Sequence, residues 1–292
     1  MRSFDLLAIG NINTDIAYYA ERMPEPDDEV LADDYSIGQG GSAANFATGA
    51  SRLGLRVALV GAVGGDPFGA AAVRSLKNEG VYTGLIHVSE KPTGTVCVIV
   101  DRSGGRSMIS FRGANEDLAE VLEGNLPKAQ VIHLSNVSNG VLTKVKGKAA
   151  VSLDPGAGVK NLRLEDLEGV KFLLLNETEC RILTGMELEE GAELFLDWVE
   201  TVVVKLGAKG AYMAGGGARK LIPAFRVKSL DTTGAGDAFD AGFLSAIICG
   251  KVLEDAVSWG NGAAALKVQH KSARCGLPTR EDLMAFLSSQ NP

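Results

Sequence analysis

Residues 231–247 read DTTGAGDAFDAGFLSAI. Gly234, Ala235 and Gly236 make a turn of small residues that leads into an apolar segment with helical spacing at Ala238, Gly242, Leu244, Ala246 and Ile248. A tight loop therefore sits directly on a helix start. The first turn of a helix has backbone N–H groups without intrahelical acceptors and the positive end of the helix dipole, which attract an anion such as phosphate. Asp237 follows in that turn, where it would take a proton from a hydroxyl lying beside the bound phosphate. That arrangement suggests phosphoryl transfer. The same residues also read as an N-cap with an acidic first turn, and this stretch alone leaves both readings open.

A turn of this kind needs a sheet to hold it, and the chain reads as α/β. Phe4–Ile9 is a short apolar run ended by Gly10, as expected of a buried parallel strand. Asn11, Asn13 and Asp15 follow at period two, at the strand's carboxyl end, where ligands bind in doubly wound sheets. A solvated loop face is the alternative. The segment 38–54, GQGGSAANFATGASRLG, reads as a tight entry into a helix packed closely on a sheet. Gly38, Gly40 and Ala43 also spell a dinucleotide fingerprint, but the preceding ADDYSI is weak as the buried strand that this motif requires. Gly40, Gly41 and Asn45 fit better as contacts to a polyhydroxy ligand.

Arg56–Gly64 reads as a strand and 68–79 as a helix, a βαβ signature that implies a parallel sheet. Thr93–Asp101 and Arg106–Arg112 then alternate around RSGG as an antiparallel hairpin. Together with an excursion near 12–39, this hairpin predicts a small separate sheet, a lid. The α/β alternation resumes with a helix near 115–123 and strands near 130–135, 150–154 and 170–175. Asn176, Glu177 and Glu179 then stand at a strand end opening into a helix. They read equally as groups ordering a magnesium ion and as acids complementing a helix dipole. A helix near 189–199, the strand VETVVVKL ending at Lys205 and Gly207, short strands over 211–227, and helices near 253–269 and 279–288 complete the chain. KSARCGLP is a polar loop expected to fold against the glycine turn.

Composition bounds the reading. The 292 residues, 46% apolar and 22% charged, are those of an ordinary globular protein. A formal charge of -7 with interspersed signs argues against a nucleic-acid partner, so any anion site must be local. Cys97, Cys180, Cys249 and Cys275 have no metal-ligand spacing. Without a signal-peptide pattern or a long apolar run, the expectation is a cytoplasmic protein with no membrane partner.

With DTTGAGDAFDAG and GQGGSAANFATGASRLG in that order, the chain resembles the ribokinase family of PfkB-type carbohydrate kinases over almost its whole length, with NETE and VKLGAKG falling between. The absence of GxxxxGK[ST] leaves a P-loop kinase unsupported. The resemblance implies one ribokinase-like α/β domain over 1–292, with a mostly parallel central sheet flanked by helices and lid insertions at about 12–39 and 91–113. It implies ATP- and Mg2+-dependent transfer to a hydroxymethyl group, with Asp237 as base and Gly234, Ala235 and Gly236 as anion hole. Asn13, Asp15, Gly41 and Asn45 match sugar-binding positions, and Asn176 and Glu179 match the magnesium and phosphate element. Lys205, Gly207 and Asn261 match nucleotide-side positions. Asp231 and Thr233 match part of a monovalent-cation site, normally potassium, and the lid implies a homodimer.

The departures fall mainly on the sugar side. Ser42 stands where ribokinase has lysine, and Asn136 near where it has glutamate. Ser272 stands where its potassium loop has glycine. Arg112 is a candidate partner for a charged substituent, or an ordinary strand arginine. A nucleoside acceptor stays open, with Phe111, Tyr18, Tyr19 and Tyr35 as stacking candidates, as does a sugar phosphate. From other classes, a dinucleotide-dependent oxidoreductase is opposed by the misplaced fingerprint. A silent sugar-binding regulator is opposed by the presence of both base and anion hole.

Overall fold

The structure is a computed structural model that describes residues 3–103 and 105–290. Its first half runs β1 (Ser3–Gly10), β2 (Asn13–Ala20), β3 (Ala32–Gly40), α1 (Ser42–Arg52), β4 (Val57–Gly64), α2 (Pro67–Asn78), β5 (Tyr82–Ser89), β6 (Gly94–Asp101), β7 (Arg106–Phe111) and α3 (Leu118–Val121). Then come β8 (Lys128–Ser135), α4 (Asn139–Val145), β9 (Ala150–Asp154), β10 (Phe172–Asn176), α5 (Glu177–Thr184), α6 (Leu188–Phe195) and β11 (Thr201–Lys205). The chain closes with β12 (Ala211–Gly215), β13 (Ala218–Ile222), α7 (Ala235–Ile248), α8 (Leu253–Lys267) and α9 (Arg280–Gln290).

The apolar runs pair into a nine-stranded sheet of order β13-β12-β11-β10-β9-β8-β1-β4-β5. The pairings from β11 across to β5 are parallel, and β12 and β13 turn back antiparallel at one edge. Strands buried on both faces need a helix layer on each. Alternate residues of β1 serve the two layers: Leu6 and Ala8 join a core with α1, α7, α8 and α9, and Leu7 and Ile9 join one with α3, α4 and α6. Phe46 of α1, fully buried, lies 3.9 Å from the His133 ring between centroids, so truncating it to Ala costs about 3–5 kcal/mol.

A separate four-stranded sheet has the order β3-β2-β6-β7. The β6–β7 hairpin forms as expected, although its turn includes Gly104, which lies outside the described residues. The excursion after β1 holds two strands, of which β2 pairs parallel to β6, a partner about eighty residues away that local pattern does not reveal. Three further differences are local. β5, an edge strand with mixed exposure, and the short glycine-containing α4 carry weak signals. The helix expected near 115–123 is a 3-10 turn over Gly113–Asp117 followed by one turn of α3. There the Asn115 side chain bonds the Ile12 backbone instead, accepting from its N–H at 2.9 Å and donating to its carbonyl at 3.2 Å.

Candidate active site

The loop 231–234 enters α7 through Gly234, whose φ of 77° is in the left-handed region and whose added Cβ would lie 2.5 Å from the Ala273 carbonyl. Only glycine suits that position. The loop is held by its own first residue: Asp231 Oδ1 accepts from the Thr233 N–H at 2.9 Å and from its hydroxyl at 2.7 Å. The Ala235 N–H, expected among the anion donors, goes to the Thr232 carbonyl at 3.1 Å. The remaining first-turn amides, those of Gly236 and Asp237, have no acceptor within the helix.

Asp237, in the first turn of α7, has its pKa pushed up to about 6 by burial. Asn45 counters this by donating Nδ2 to Asp237 Oδ2 at 2.9 Å. The orientation of the amide is set in turn by Arg274, whose Nε donates to Asn45 Oδ1 at 2.9 Å while Nη2 donates to the Gly40 carbonyl at 3.0 Å. Arg274 is 8% exposed, and burial drags its pKa down to about 10. The expected polar loop thus inserts a buried guanidinium beside the Asn45–Asp237 pair. Asp15, also raised to about 6 by burial, is drawn back by the same Arg274. Gly41 caps α1 at a φ of 90°, where a Cβ would run into the Asn11 carbonyl, and Ser42 opens that helix.

Beneath the glycine turn lies a charged cluster. Lys205 Nζ donates to Asp154 Oδ2 at 2.7 Å and to Asp240 Oδ1 at 3.0 Å, and Asp240 is one helical turn beyond Asp237. Burial opposes the charge on Lys205, but Asp154 and Asp240 outweigh it and hold the ammonium far above its usual range. Burial raises Asp240, whereas Lys205 overcomes the same burial to lower Asp154. His133 Nε2 is 3.9 Å from Asp240 Oδ2, but burial pushes its pKa down to about 3, so the contact is with a neutral ring. The Lys205 ammonium is therefore engaged with carboxylates.

The other nucleotide-side candidates are equally well defined. Asn176 and Glu179 form a capping box on α5, each side chain accepting from the other's N–H at 2.9 Å. Burial and the Asp154 carboxylate raise Glu179. Gly207 is exposed at a φ of 59°, and Asn261 donates to the carbonyls of Ile222 and Pro223, each at 3.1 Å.

A cavity of about 440 Å³ separates the second sheet from segments 229–233 and 271–273. Asp15, Ala17, Tyr19, Val98 and Val100 line it from the sheet, and Asp237 is not part of its wall. Arg106 of β7 crosses it, donating to the hydroxyls of Thr233 at 2.7 Å and Thr232 at 3.1 Å. The exposed Arg112 is not among its lining residues, so the arginine facing the cavity is the one that sequence reasoning passed over. Asn13 Oδ1 accepts from Asn115 Nδ2 at 2.8 Å. Asn136, in the left-handed region at a φ of 54°, accepts from the Gly158 N–H at 3.1 Å.

This fold and site define a ribokinase-like kinase, and the comparisons place it further. The chain belongs to the pfkB family of carbohydrate kinases, whose family model matches residues 3–280. Ribokinase of Haemophilus influenzae is 33% identical over 300 residues, spanning 97% of this chain and 98% of the relative. The ATP-dependent ribose-1-phosphate kinase of Halopiger xanaduensis is 31% identical over 294 residues, spanning 98% of each. Among solved structures, Thermotoga maritima ribokinase superposes with a TM-score of 0.91 at 29% identity, covering 98% of this chain and 99% of the other. The nucleoside kinase of Methanocaldococcus jannaschii gives 0.88 at 26%, covering 99% of each chain. Arabidopsis thaliana ribokinase complexed with ribose and ATP gives 0.86 at 29%, covering 98% and 99%. No helix among the described residues is long and apolar enough to cross a membrane.

Proposed function

We propose that this kinase transfers the γ-phosphate of ATP to a hydroxymethyl group of a sugar, acting as one catalytic unit with residues of about 12–39 and 91–113 as a lid. The observation that carries this reading is Asp237, raised to about 6 at the start of α7 beside a glycine turn. A base with that pKa is roughly ten to one ionised at pH 7 and still basic enough to take an alcohol proton as the oxygen attacks phosphorus. The amides of Gly236 and Asp237 and the dipole of α7 stabilise charge on the transferring phosphoryl group. Asn45 aims the carboxylate, and Asp15 in the cavity wall accepts from a sugar hydroxyl. Asn13, Gly41, Ser42 and Asn136 shape the sugar side around it.

Magnesium fits the residues present. Among the described residues no group of three His, Cys, Asp or Glu is placed to hold a metal, so water and phosphate oxygens would complete its shell. Glu179 and Asn176 would hold it, and a divalent cation there would offset the burial and the Asp154 carboxylate that raise Glu179. Its chemistry there is to neutralise phosphate charge. Lys205, with Asp154 and Asp240, supports the underside of the turn, and Gly207 and Asn261 shape the nucleotide side.

A sugar-phosphate acceptor is the second reading, favoured by Arg106 in the cavity and by the ribose-1-phosphate kinase relative. A nucleoside acceptor would use Tyr19, Val98 and Val100 as apolar surface. Coupled ADP release against pentoses, hexoses, nucleosides and sugar phosphates decides among them. Turnover with none of these would contradict the assignment.

A further inference from the structure

The Asp231 and Thr233 pair marks the place of a monovalent cation in the ribokinase resemblance, but the atoms there do not fit one. Asp231 Oδ1 is taken by the Thr233 amide and hydroxyl and by Arg106 Nη1 at 3.3 Å, and Oδ2 accepts from the Ser272 N–H at 2.8 Å. Ser272 makes that bond at a φ of 70°, in the left-handed region that favours glycine. The Asp231 carbonyl is occupied as well. It accepts from Lys267 Nζ at 3.0 Å, and the same ammonium donates to the His270 carbonyl at 3.3 Å.

Lys267 is 0% exposed, an unusual place for a lysine. It is the last residue of α8, where the negative end of the helix dipole favours a cation. An ammonium offers donors to backbone carbonyls much as an alkali ion accepts their lone pairs. Burial lowers its proton affinity below the usual lysine range, and the Asp231 carboxylate limits that fall.

We propose that Lys267 takes the place of the monovalent cation: its ammonium, buried between the Asp231 and His270 carbonyls, supplies the charge that joins the glycine turn to the 270–274 loop, and the protein needs no potassium. The inference rests on the kinase reading for its effect on turnover, but not for its effect on cation binding. Lys267 acts through the backbone it holds. The loop that it ties to the turn also carries Ala273, packed on Gly234, and Arg274, bonded to Asn45.

The test compares potassium with tetramethylammonium, too bulky for a carbonyl site, at equal ionic strength, reading melting temperature and ADP release. The wild-type protein is expected to show the same melting temperature and turnover in both salts. Lys267→Ala, which leaves room for an ion, is expected to lose about 10–100-fold of its turnover in tetramethylammonium and to regain activity and melting temperature with potassium or ammonium. Lys267→Met, which removes the charge while filling the space, is expected to stay low in every salt. A potassium-specific rise in wild-type melting temperature or turnover overturns the proposal, as does a Lys267→Ala protein with full activity in tetramethylammonium. Should neither variant fold, the wild-type comparison decides alone. Should no acceptor be phosphorylated, the melting temperatures still decide the cation question separately from the kinase assignment.

Discussion

The Asn45 amide donates to Asp237 Oδ2 at 2.9 Å across 192 residues of sequence, joining the start of α1 to the start of α7. This bond favours the ionised carboxylate, whereas burial favours the protonated one and sets the net pKa near 6. For a base, activity requires the ionised form. The acid limb of kcat/KM is therefore expected near pH 6, with activity falling as pH drops through it. Asn45→Ala removes an influence that lowers the pKa, so the limb moves to higher pH. A pH–rate profile of the two proteins with the best acceptor checks the direction, and an unmoved or lowered limb would contradict it.

Arg274 orients that same amide from the other side, through Nε to Asn45 Oδ1. Arg274→Met keeps much of the stem but leaves Asn45 Oδ1 and the Gly40 carbonyl without their donor. Its expected effect is about 10–100-fold on kcat, with a smaller change in the KM for ATP. Arg274→Lys is expected to recover little, because one ammonium cannot span two acceptors held by a planar fork. Steady-state kinetics with both variants measure this.

Gly234 tests the turn by shape. Gly234→Ala would place a methyl 2.5 Å from the Ala273 carbonyl at a φ of 77°, so the turn or the facing loop must shift. Turnover is expected to fall about 100-fold and stability by about 1–3 kcal/mol, read by single-turnover kinetics and denaturant melts.

The second sheet bears on the homodimer that the resemblance implies. Tyr18, Tyr35, Ile37, Ile109 and Phe111 are exposed, and the strand register puts them on the face opposite Asp15, Ala17 and Val98 of the cavity. We propose that this face pairs two copies of the chain, since five exposed large apolar side chains on one face of a sheet invite a partner. Sedimentation at micromolar concentration is expected to give a homodimer, and Ile109→Asp a monomer. A wild-type monomer under those conditions would remove the proposal.

Much of this was legible because the signals are local. Apolar runs ended by glycine marked β1 and β4, alternation marked β6 and β7, and the small residues before Ala238 marked the entry to α7. The family followed from motifs in order, the mostly parallel sheet from the βαβ alternation, and the separate small sheet from the hairpin pattern and the excursion before it. What was not legible depends on distant partners. Arg274 looked like one charge in a polar loop because its acceptor lies 229 residues away. Arg106 and Arg112 sit six residues apart on one hairpin, and only the fold shows which one faces the cavity. Lys267 ended an apolar helix without any sign of the carbonyls that hold it. Asp240 could have been noticed, since an acid three residues after Asp237 on a buried helix needs a counter-charge, and Lys205 provides it.

The central claim is that Asp237 is the base. The most direct measurement is rapid-quench single-turnover phosphoryl transfer by Asp237→Asn, with nucleotide affinity measured in parallel. The expected result is unchanged ATP binding with transfer slowed by about 10²–10⁴-fold. Transfer at a near-wild-type rate would contradict the account.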